Sequence, residues 1–373
     1  MVRLPGGVET MVRVKFLGTS ASEWAAVLGR CSHDSYHLPG WMRAAEFGDG
    51  GKARAVYATN GEQELLVPII RRRVDAEGWD AVSPYGYGGP IVSDDVSRKF
   101  IDAALRAIVD RLRETGCISW FIRLHPLLNA EWQSSVGQVV EQGKTVSIDL
   151  TKSEEAHWRE TRRGHRKNIV RAMAEGVTVR IDRDFDDLST LIRLYSDTMR
   201  RLEAAPSYYF DERYYHALVT EIGANLRLFV AEEAGGIIGA TLFSVAWDTG
   251  IMQAHLFGMD EQYLHRHPYK VITHAARNWG REQGLKRLHL GGGVGGSSSD
   301  SLFNFKHGFS PDTHVFRTQR VIVDSKRYMS LCGGDDSVLS DMTGYFPAYR
   351  RDSVATRVGG VGEALAKTEL CSR

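Results

Sequence analysis

The predicted secondary structure of this chain runs through the same order of elements twice. In each half, short helices precede two strands that are joined by a tight turn, at Asn60-Gly61 and at Gly235-Gly236, and such turns favour hairpins. An amphipathic helix and a buried strand then follow. The predicted ranges are 22–31, 39–47, 53–59, 64–71, 97–116 and 119–124 in the first half, and 188–199, 211–223, 227–232, 239–247, 251–257, 269–284 and 287–290 in the second.

This order favours a duplicated α+β domain. A strand–helix–strand crossover gives one parallel pair, so each half is predicted to form a mixed, mostly antiparallel sheet flanked by helices. One large α/β sheet is the alternative. With 373 residues the chain exceeds the roughly 250–300 residues at which single cores stop growing. We expect a first domain over 12–150, a second over 151–325, and a C-terminal segment over 326–373 that packs partly on the first domain and ends in a flexible tail.

Composition excludes several classes of protein. Lys plus Arg is 47 and Asp plus Glu is 46, so any nucleic-acid partner has to meet a local basic patch. No apolar run approaches the roughly 18 residues of a membrane span, and no secretory signal is visible. The four cysteines form no C-x-x-C pair, and no histidine cluster has metal-ligand spacing. We therefore expect a cytoplasmic protein without a metal site.

The segment 151–175 is unusually basic. Thr151-Lys152-Ser153-Glu154 has the form of a capping box, which predicts the start of a helix. Six cations follow, and their spacing places several of them on one face of such a helix; they are Arg159, Arg162, Arg163, Arg166, Lys167 and Arg171. A cationic ridge of this kind suits the phosphates of a nucleotide or an RNA backbone. A solvated helix face is the alternative.

Two segments of the first half carry candidate ligand contacts. Ser83–Pro90 reads SPYGYGGP, in which glycines and prolines fix a loop that presents Tyr85 and Tyr87; a packed structural corner is the alternative. In the strand that follows the helix, Arg123 and His125 alternate with apolar residues. An arginine in a buried strand needs either an anion or an internal partner.

A glycine run and a lysine among aromatics mark the end of the second half. Gly291, Gly292 and Gly293 directly follow a predicted strand, and glycines there let a ligand approach the backbone closely. The run has neither the P-loop nor the dinucleotide pattern. Lys306 follows with phenylalanines at 303, 305 and 309, which suits an ammonium that stabilises a phosphate or an oxyanion. The alternative is a surface lysine that packs its stem on apolar neighbours.

These segments resemble the Fem-type (FemABX) aminoacyl-tRNA-dependent peptidyltransferases over about residues 12–350. The resemblance rests on 151–179, on 83–90, on 121–126 and above all on LHLGGG at 288–293 with LFNFKHGF at 302–309. It implies two tandem GNAT (acyl-CoA N-acyltransferase-like) domains and the transfer of an amino acid from aminoacyl-tRNA to an amine, as in the building of cell-wall precursors or natural products. By similarity, Lys306 would lie at the reacting carbonyl, and Arg200 or Arg201 would bind an anionic group of the acceptor.

The chain departs from the family in one respect and from acetyl-CoA users in another. No stretch is long enough for the coiled-coil arm of some Fem-type proteins, which weakens the case for a lipid-linked cell-wall substrate. Where acetyl-CoA users carry R/Q-x-x-G-x-G/A, residues 262–269 read QYLHRHPY. This segment has no glycine, so its amides are not expected to hold a pyrophosphate. We expect no cofactor, with aminoacyl-tRNA as co-substrate and a small-molecule or peptide amine as acceptor.

The predicted site is divided among three tasks. The catalytic candidates are Lys306 and Phe305, with His255, His289 and Asp300 as possible bases. The candidate substrate contacts are Tyr36, Trp41, Tyr85, Tyr87, Arg123, Arg200, Arg201, Gly291, Gly292, Gly293 and Asn304. The candidate tRNA contacts are the six cations of 151–175, with Arg71, Arg72 and Arg73. Three other functions stay open: an N-acyltransferase that uses a coenzyme A or carrier-protein thioester, a non-catalytic nucleic-acid binder, and a scaffold.

Overall fold

The computed structural model describes residues 11–293 and 300–351. The first half runs strand, two helices, three main strands, helix and two strands, with one extra short strand. The elements are β1 Arg13–Leu17, α1 Ser22–Leu28, α2 Pro39–Asp49, β2 Lys52–Thr59, β3 Glu64–Arg73, β4 Trp79–Val82, β5 Ile91–Val92, α3 Arg98–Glu114, β6 Cys117–Arg123 and β7 Gln138–Asp149.

The second half repeats this order after two connecting helices. The elements are α4 Glu154–Glu160, α5 Arg163–Ala174, β8 Thr178–Asp182, α6 Leu188–Arg201, α7 Glu212–Ile222, β9 Leu226–Glu233, β10 Gly236–Ala246, β11 Ile251–Met259, α8 Pro268–Glu282, β12 Arg287–Gly292, α9 Ser301–His307, β13 Thr313–Ile322 and α10 Ser325–Leu331. The predicted duplication of the α+β unit is confirmed.

The strands of the described residues form one continuous sheet. Its order is β1-β2-β3-β4-β6-β13-β7-β12-β11-β10-β9-β8, with β5 beside β3. Only the pairs β4–β6 and β11–β12 are parallel. The hairpin β2–β3 forms around Asn60-Gly61, and β9–β10 turns at Ala234-Gly235, one residue before the predicted Gly235-Gly236. Each half thus has the mixed, mostly antiparallel sheet that its sequence predicts, and the two sheets are joined edge to edge.

The join is made by exchanged strands. β7 belongs to the first half of the chain but pairs with β12 of the second, while β13 comes from the second half and pairs with β6 of the first. β7 and β13 also pair with each other. The sequence does not predict this crossing. Each half contributes a strand to the other's sheet, so the strand pairing does not divide the chain at one position. The domain boundary near residue 150 therefore stays a prediction.

Three large apolar cores fill the layers, and a smaller fourth core holds Ile118, Tyr328 and Phe346. α3 covers one face of the first half's sheet, and α5 and α8 cover the outer face of the second. Between the halves, α1, α2, α6 and α7 form a shared core with strands from both sheets. Trp24, Trp41 and Tyr214 are almost completely buried in this core. The two halves therefore pack through a continuous apolar interface.

The basic segment 151–175 is not one helix. Ser153, rather than Thr151, caps α4 by accepting from the amide of Ala156. The chain becomes extended at Thr161 and Arg162, and a second helix, α5, begins at Arg163. The prediction of a single helix is therefore wrong. The structure supplies the cause, since the Arg162 amide donates to the carbonyl of Gly308 at 2.8 Å instead of continuing the helix.

Some expectations concern other parts of the chain. Residues 352–373, which include the predicted tail of the C-terminal segment 326–373, and the glycine- and serine-rich positions 294–299 lie outside the described residues. No helix in the described part of the chain is long and apolar enough to cross a membrane.

Candidate functional site

A cavity of about 730 Å³ lies between the two halves, walled by the loop 83–90, the exchanged strands and the second half's central strands. Ten of the predicted site residues line it: Tyr36, Tyr85, Tyr87, Arg123, His255, Gly291, Gly292, Gly293, Asp300 and Lys306. β7 adds Lys144 to the wall, α6 adds Tyr195, and Tyr208 follows from the next turn. Segments remote in sequence thus converge on one cavity.

Lys306 is held at one end of this cavity. Its side chain is only 8% exposed, and its ammonium donates to the carbonyl of Gly292 at 2.7 Å. Burial lowers the pKa of Lys306 to about 8, against a smaller opposing effect of Asp300. The ammonium is therefore largely charged at neutral pH, and one of its three protons is donated to the backbone, while the described residues offer no hydrogen-bond partner to the other two.

Asp300 is the N-cap of α9, because one of its carboxylate oxygens accepts from the Phe303 amide at 2.9 Å. The other oxygen is buried and has no described hydrogen-bond partner. Gly293 packs against this carboxylate so closely that a Cβ atom there would lie 2.3 Å from it. Gly291 has a positive φ of 77°, which favours glycine. The glycines therefore let the end of β12 approach α9.

The opposite end of the cavity is aromatic. His255 lies among the rings of Tyr36, Tyr85 and Tyr214 and shares a hydrogen bond of 2.8 Å with the Tyr214 hydroxyl. Burial lowers the pKa of His255 to about 3, so the imidazole is neutral. Trp41 packs behind it, with ring centroids 4.7 Å apart. This end offers flat apolar surfaces and hydroxyl groups.

Arg123 also faces the cavity. Its Nη1 donates to the carbonyl oxygens of Ser83 at 2.8 Å and Pro84 at 3.5 Å, and its guanidinium lies over the ring of Phe121. Sequence reasoning offered an anion or an internal partner. The structure provides internal carbonyls, and no ion pair of Arg123 is found among the described residues.

A fully buried polar network joins the halves behind the cavity. Asp34 accepts from His125 Nε2 at 2.8 Å and from Gln253 Nε2 at 2.5 Å, and Gln253 Oε1 accepts from His289 Nδ1 at 2.6 Å. Burial acts to raise the pKa of Asp34, but the interactions with His125, His37 and Gln253 outweigh it and hold that pKa below its ordinary value. The carboxylate is therefore ionised.

This network fixes the tautomers of both histidines. His125 Nδ1 accepts from two backbone amides, so its proton lies on Nε2. In His289 the proton lies on Nδ1, because the oxygen of Gln253 can only accept, and Nε2 has no described partner. Burial holds the pKa of His289 well below its ordinary value. His289 does not line the cavity, but the ring of Tyr87 packs on it at 5.1 Å.

The cations of 151–175 divide into two groups. Arg166 caps the end of α4 by donating to the Trp158 carbonyl at 2.9 Å, and Arg171 lies 3.9 Å from Glu175. The remaining four are exposed, and among the described residues they form no side-chain hydrogen bond or ion pair; they are Arg159, Arg162, Arg163 and Lys167. We call these four side chains the basic corner.

Several predicted contacts lie outside the cavity wall. The Phe305 ring packs in the second half's core, against His165 and Phe309, so it is not placed to touch a reacting group. Asn304 and Trp41 are also absent from the wall. Arg200 is exposed and pairs with Asp197 at 2.9 Å. Two guanidinium nitrogens of Arg201 are buried without a described partner.

Sequence reasoning missed Asp34, Gln253, Lys144 and Tyr208. Asp34 had a local signal, since Asp34 and His37 form a capping box around the turn Ser35–His37. Gln253 had none, because its partners lie far away in the sequence. Among the described residues, no group of histidines, cysteines and carboxylates comes together that could hold a metal ion.

Comparisons with known proteins agree with this architecture. Residues 159–306 match the family model described as an acetyltransferase (GNAT) domain. The crystal structure of FemX aligns with 85% of this chain and 99% of that chain, with a TM-score of 0.62 and 14% sequence identity.

Two further solved structures align with TM-scores of 0.53 and identities of 14%. One is the C-terminal domain of a protein named as a lysylphosphatidylglycerol synthetase from Agrobacterium fabrum, which covers 85% of this chain and 96% of its own. The other is L-PGS from Bacillus licheniformis, with 82% and 93%. No curated protein matches this sequence. At these identities the likenesses establish the fold alone: the chain has the Fem-type fold of two tandem GNAT domains.

Proposed function

We propose that this protein is an aminoacyltransferase that forms an amide by moving an amino acid from aminoacyl-tRNA to the amine of a small-molecule or peptide acceptor. The observation that carries the proposal is the buried Lys306 ammonium, which faces a cavity between two acyltransferase-type domains. The basic corner supports the same donor.

The reaction needs little from the protein beyond position and charge. The acceptor nitrogen attacks the ester carbonyl carbon, and the tetrahedral intermediate carries an oxyanion. The bond to the ribose oxygen then breaks, and that oxygen takes a proton from the nitrogen, directly or through an adjacent phosphate. Placement of the amine about 3 Å from the carbonyl lowers the barrier. The Lys306 ammonium stabilises the oxyanion. A protein base is not required, because the departing ribose oxygen takes the proton of the nitrogen.

The basic corner is tied to the helix that carries Lys306. The Arg162 amide donates to the Gly308 carbonyl, and the ring of His165 hydrogen-bonds to the Phe305 carbonyl at 2.9 Å. Burial lowers the pKa of His165 to about 4, so this link persists at neutral pH. An RNA backbone bound at the corner would have its end directed towards α9.

The segment before α8 supports a donor other than coenzyme A. In the GNAT fold, free backbone amides at this position hold the pyrophosphate, as the motif of acetyl-CoA users implies. Here residues Glu261–Arg266 form a 3₁₀ helix, whose amides bond within the segment. The amide of His267 donates to Leu264, and Pro268 has no N–H. Few amides remain to bind a phosphate.

The test is a comparison of donors. Purified protein is incubated with a mixture of amines and either total aminoacylated tRNA or acyl-coenzyme A, and mass spectrometry detects new amides. We expect products only with the tRNA, and RNase treatment should abolish them. Lys306→Gln should lose the products, while Lys286→Gln, which removes an exposed lysine, should keep them. Turnover that survives RNase, or that requires coenzyme A, would refute the proposal.

A further inference from the structure

The cavity contains more positive than negative charge. The described part of the cavity wall contains three basic side chains, Arg123, Lys144 and Lys306, and one carboxylate, Asp300. Asp300 is next to Lys306 and opposes the burial effect on its pKa. Arg123 therefore faces the cavity without an ion-pair partner among the described residues, although the charge of Asp49 acts on it from outside the cavity wall.

Arg123 and Lys306 are held by different parts of the molecule. Lys306 belongs to α9 and bonds to the end of β12. Arg123 ends β6 and is fixed by Ser83, which accepts from Nη1 through its carbonyl and from the Arg123 amide through its hydroxyl. If the donor's ester and phosphate occupy the Lys306 end, a second cation remains for the other substrate.

The free part of the Arg123 guanidinium has a specific shape. Nη1 is committed to two carbonyls, and no described partner occupies Nε or Nη2. These two nitrogens form the edge that accommodates a carboxylate through two parallel hydrogen bonds. The ring of Phe121 packs against the guanidinium and restricts its rotation, so the edge is pre-oriented.

The aromatic side chains nearest to Arg123 in the cavity wall are uncharged. Tyr85 and Tyr208 lie close together, with ring centroids 6.1 Å apart, and His255 is uncharged. The nearest acid is Asp49, which accepts from the Tyr85 amide at 3.1 Å and forms no ion pair among the described residues. Burial raises the pKa of Asp49, and the charges of Arg123 and Arg72 oppose that rise only in part. A doubly charged phosphate would meet a single cation here, whereas a carboxylate would be balanced.

We propose that the acceptor is an amine that also carries a carboxylate, and that Arg123 binds this carboxylate through its Nε–Nη2 edge. The inference rests on the proposed function for the role of acceptor. The rings of Tyr85 and Tyr208 would hold the flat or apolar body of the molecule. Tyr87 packs on His289, and its hydroxyl and the Lys306 Nζ lie 3.5 Å and 3.4 Å from the position of a Cβ on Gly291, so the amine would extend past Tyr87 towards Lys306.

The test measures binding without tRNA. Saturation-transfer NMR, which detects millimolar ligands, compares 3-phenylpropanoate, L-phenylalanine, phenethylamine and phenyl phosphate on the full-length protein. We expect the two carboxylates to bind at least about 10-fold more tightly than phenethylamine, and phenyl phosphate to bind no better than the carboxylates. Arg123→Gln should erase the preference, and Arg123→Lys should restore only part of it, because one ammonium lacks the two-pronged edge.

Arg54→Gln is the matched control, since Arg54 also donates to a backbone carbonyl but lies outside the cavity wall. It should keep the preference, and thermal melting of each variant confirms that it is folded. The absence of any preference for the carboxylates, or a preference that persists in Arg123→Gln, overturns the inference. Tighter binding of phenyl phosphate would mean that Arg123 prefers a phosphate to a carboxylate, and this result would also overturn the inference. A failure of tRNA-dependent transfer would remove the proposed function but leave this binding result intact.

Discussion

The ammonium of Lys306 is almost completely buried, and burial makes its charge less favourable. Burial lowers its pKa to about 8, so about nine-tenths of the molecules carry the charge at pH 7 and about half at pH 8. A charged ammonium stabilises an oxyanion more strongly than the neutral amine that remains after it loses its proton. The rate of transfer should therefore decline as the pH rises through about 8, even though the acceptor amine becomes more nucleophilic.

The first prediction concerns this decline. Lys306→Gln should lower single-turnover transfer by ~100-fold or more, as the loss of an oxyanion donor does, and should remove the decline above pH 8. The measurement is a pH–rate profile from 6 to 10. Lys286→Gln should reproduce the wild-type profile. A Lys306→Gln variant that keeps the decline would assign the titration to another group.

The same burial predicts an effect on stability. The unfolded lysine keeps its proton up to about pH 10.4, while the folded one loses it near pH 8. The unfolded state therefore binds more protons between these values, and stability rises with pH there. Relative to Lys306→Gln, the free energy of unfolding of the wild type should increase across this window by no more than about 3 kcal/mol. Parallel curves from denaturant titrations would contradict the burial of the charge.

Asp34 is the anion on which the buried network depends. Its carboxylate accepts from His125, Gln253 and the amide of Ser35. Asp34→Asn would replace one accepting carboxylate oxygen by a donating NH2 group. Because the groups around it, His125 and Gln253, are also donors, buried donors would be left without an acceptor. We expect a loss of about 2–4 kcal/mol in unfolding free energy, measured by chemical denaturation. Asp248→Asn, at an exposed carboxylate, should change it by less than about 0.5 kcal/mol; equal losses would contradict a special role for Asp34.

Local sequence patterns indicate some residues of the site but not others. The sequence predicts Lys306, Tyr87 and Arg123 as site residues, because the composition of their segments departs from ordinary helix and strand patterns. Gln253 lies on a strand whose pattern is ordinary. It contacts Asp34, 219 positions earlier, and such a pairing follows from the packing of the halves, which no local pattern contains.

At the scale of elements, the corner between α4 and α5 depends on a buried arginine. Arg277 is fully buried and donates to the Thr161 hydroxyl at 2.9 Å, at the point where the chain leaves α4. Burial lowers the pKa of Arg277 to about 10, so it stays charged at neutral pH. The bend turns Arg162 and Arg163 away from the line of α4, which creates the basic corner.

The basic corner predicts a change in the salt dependence of RNA binding. Arg159→Ala with Arg163→Ala removes two cations that have no described partner, so the magnitude of the slope of log K against log salt concentration should fall by about 1.4 to 1.8. Arg166 is left intact because it caps α4. The double variant Arg106→Ala with Arg111→Ala, at exposed positions of α3, is the control. Filter binding of aminoacylated tRNA at several salt concentrations measures both, and an unchanged slope would exclude the corner from RNA binding.

Elements with local signals were predicted well, and those without were not. The hairpins follow from Asn60-Gly61 and Gly235-Gly236, and α3 follows from its apolar period. β7 was missed, because it is half-exposed, polar over much of its length, and interrupted where Gly143 takes a positive φ of 141°. It becomes a strand through β12 and β13, its partners in the sheet.

For the whole molecule, the exchange of β7 and β13 makes the two halves interdependent. The cavity needs both, since β7 supplies Lys144, and Phe316 comes from β13. The sequence shows the duplication, because each half repeats its own local pattern. It does not show the exchange, because strand order is set by pairing between residues more than 150 positions apart.

The exchange leads to a prediction about fragments. Residues 151–373 alone lack β7, so the edge of β12 and the apolar face of α6 and α7 would be exposed, and the fragment should aggregate or show no cooperative unfolding. Residues 1–150 lack β13 and should behave likewise. Co-expressed from one plasmid, the two fragments should copurify with the circular dichroism spectrum of the intact chain, because the cut lies in the turn between Leu150 and Thr151. An isolated fragment that unfolds cooperatively would show that its sheet is complete without the exchanged strand, and would contradict the interdependence of the halves.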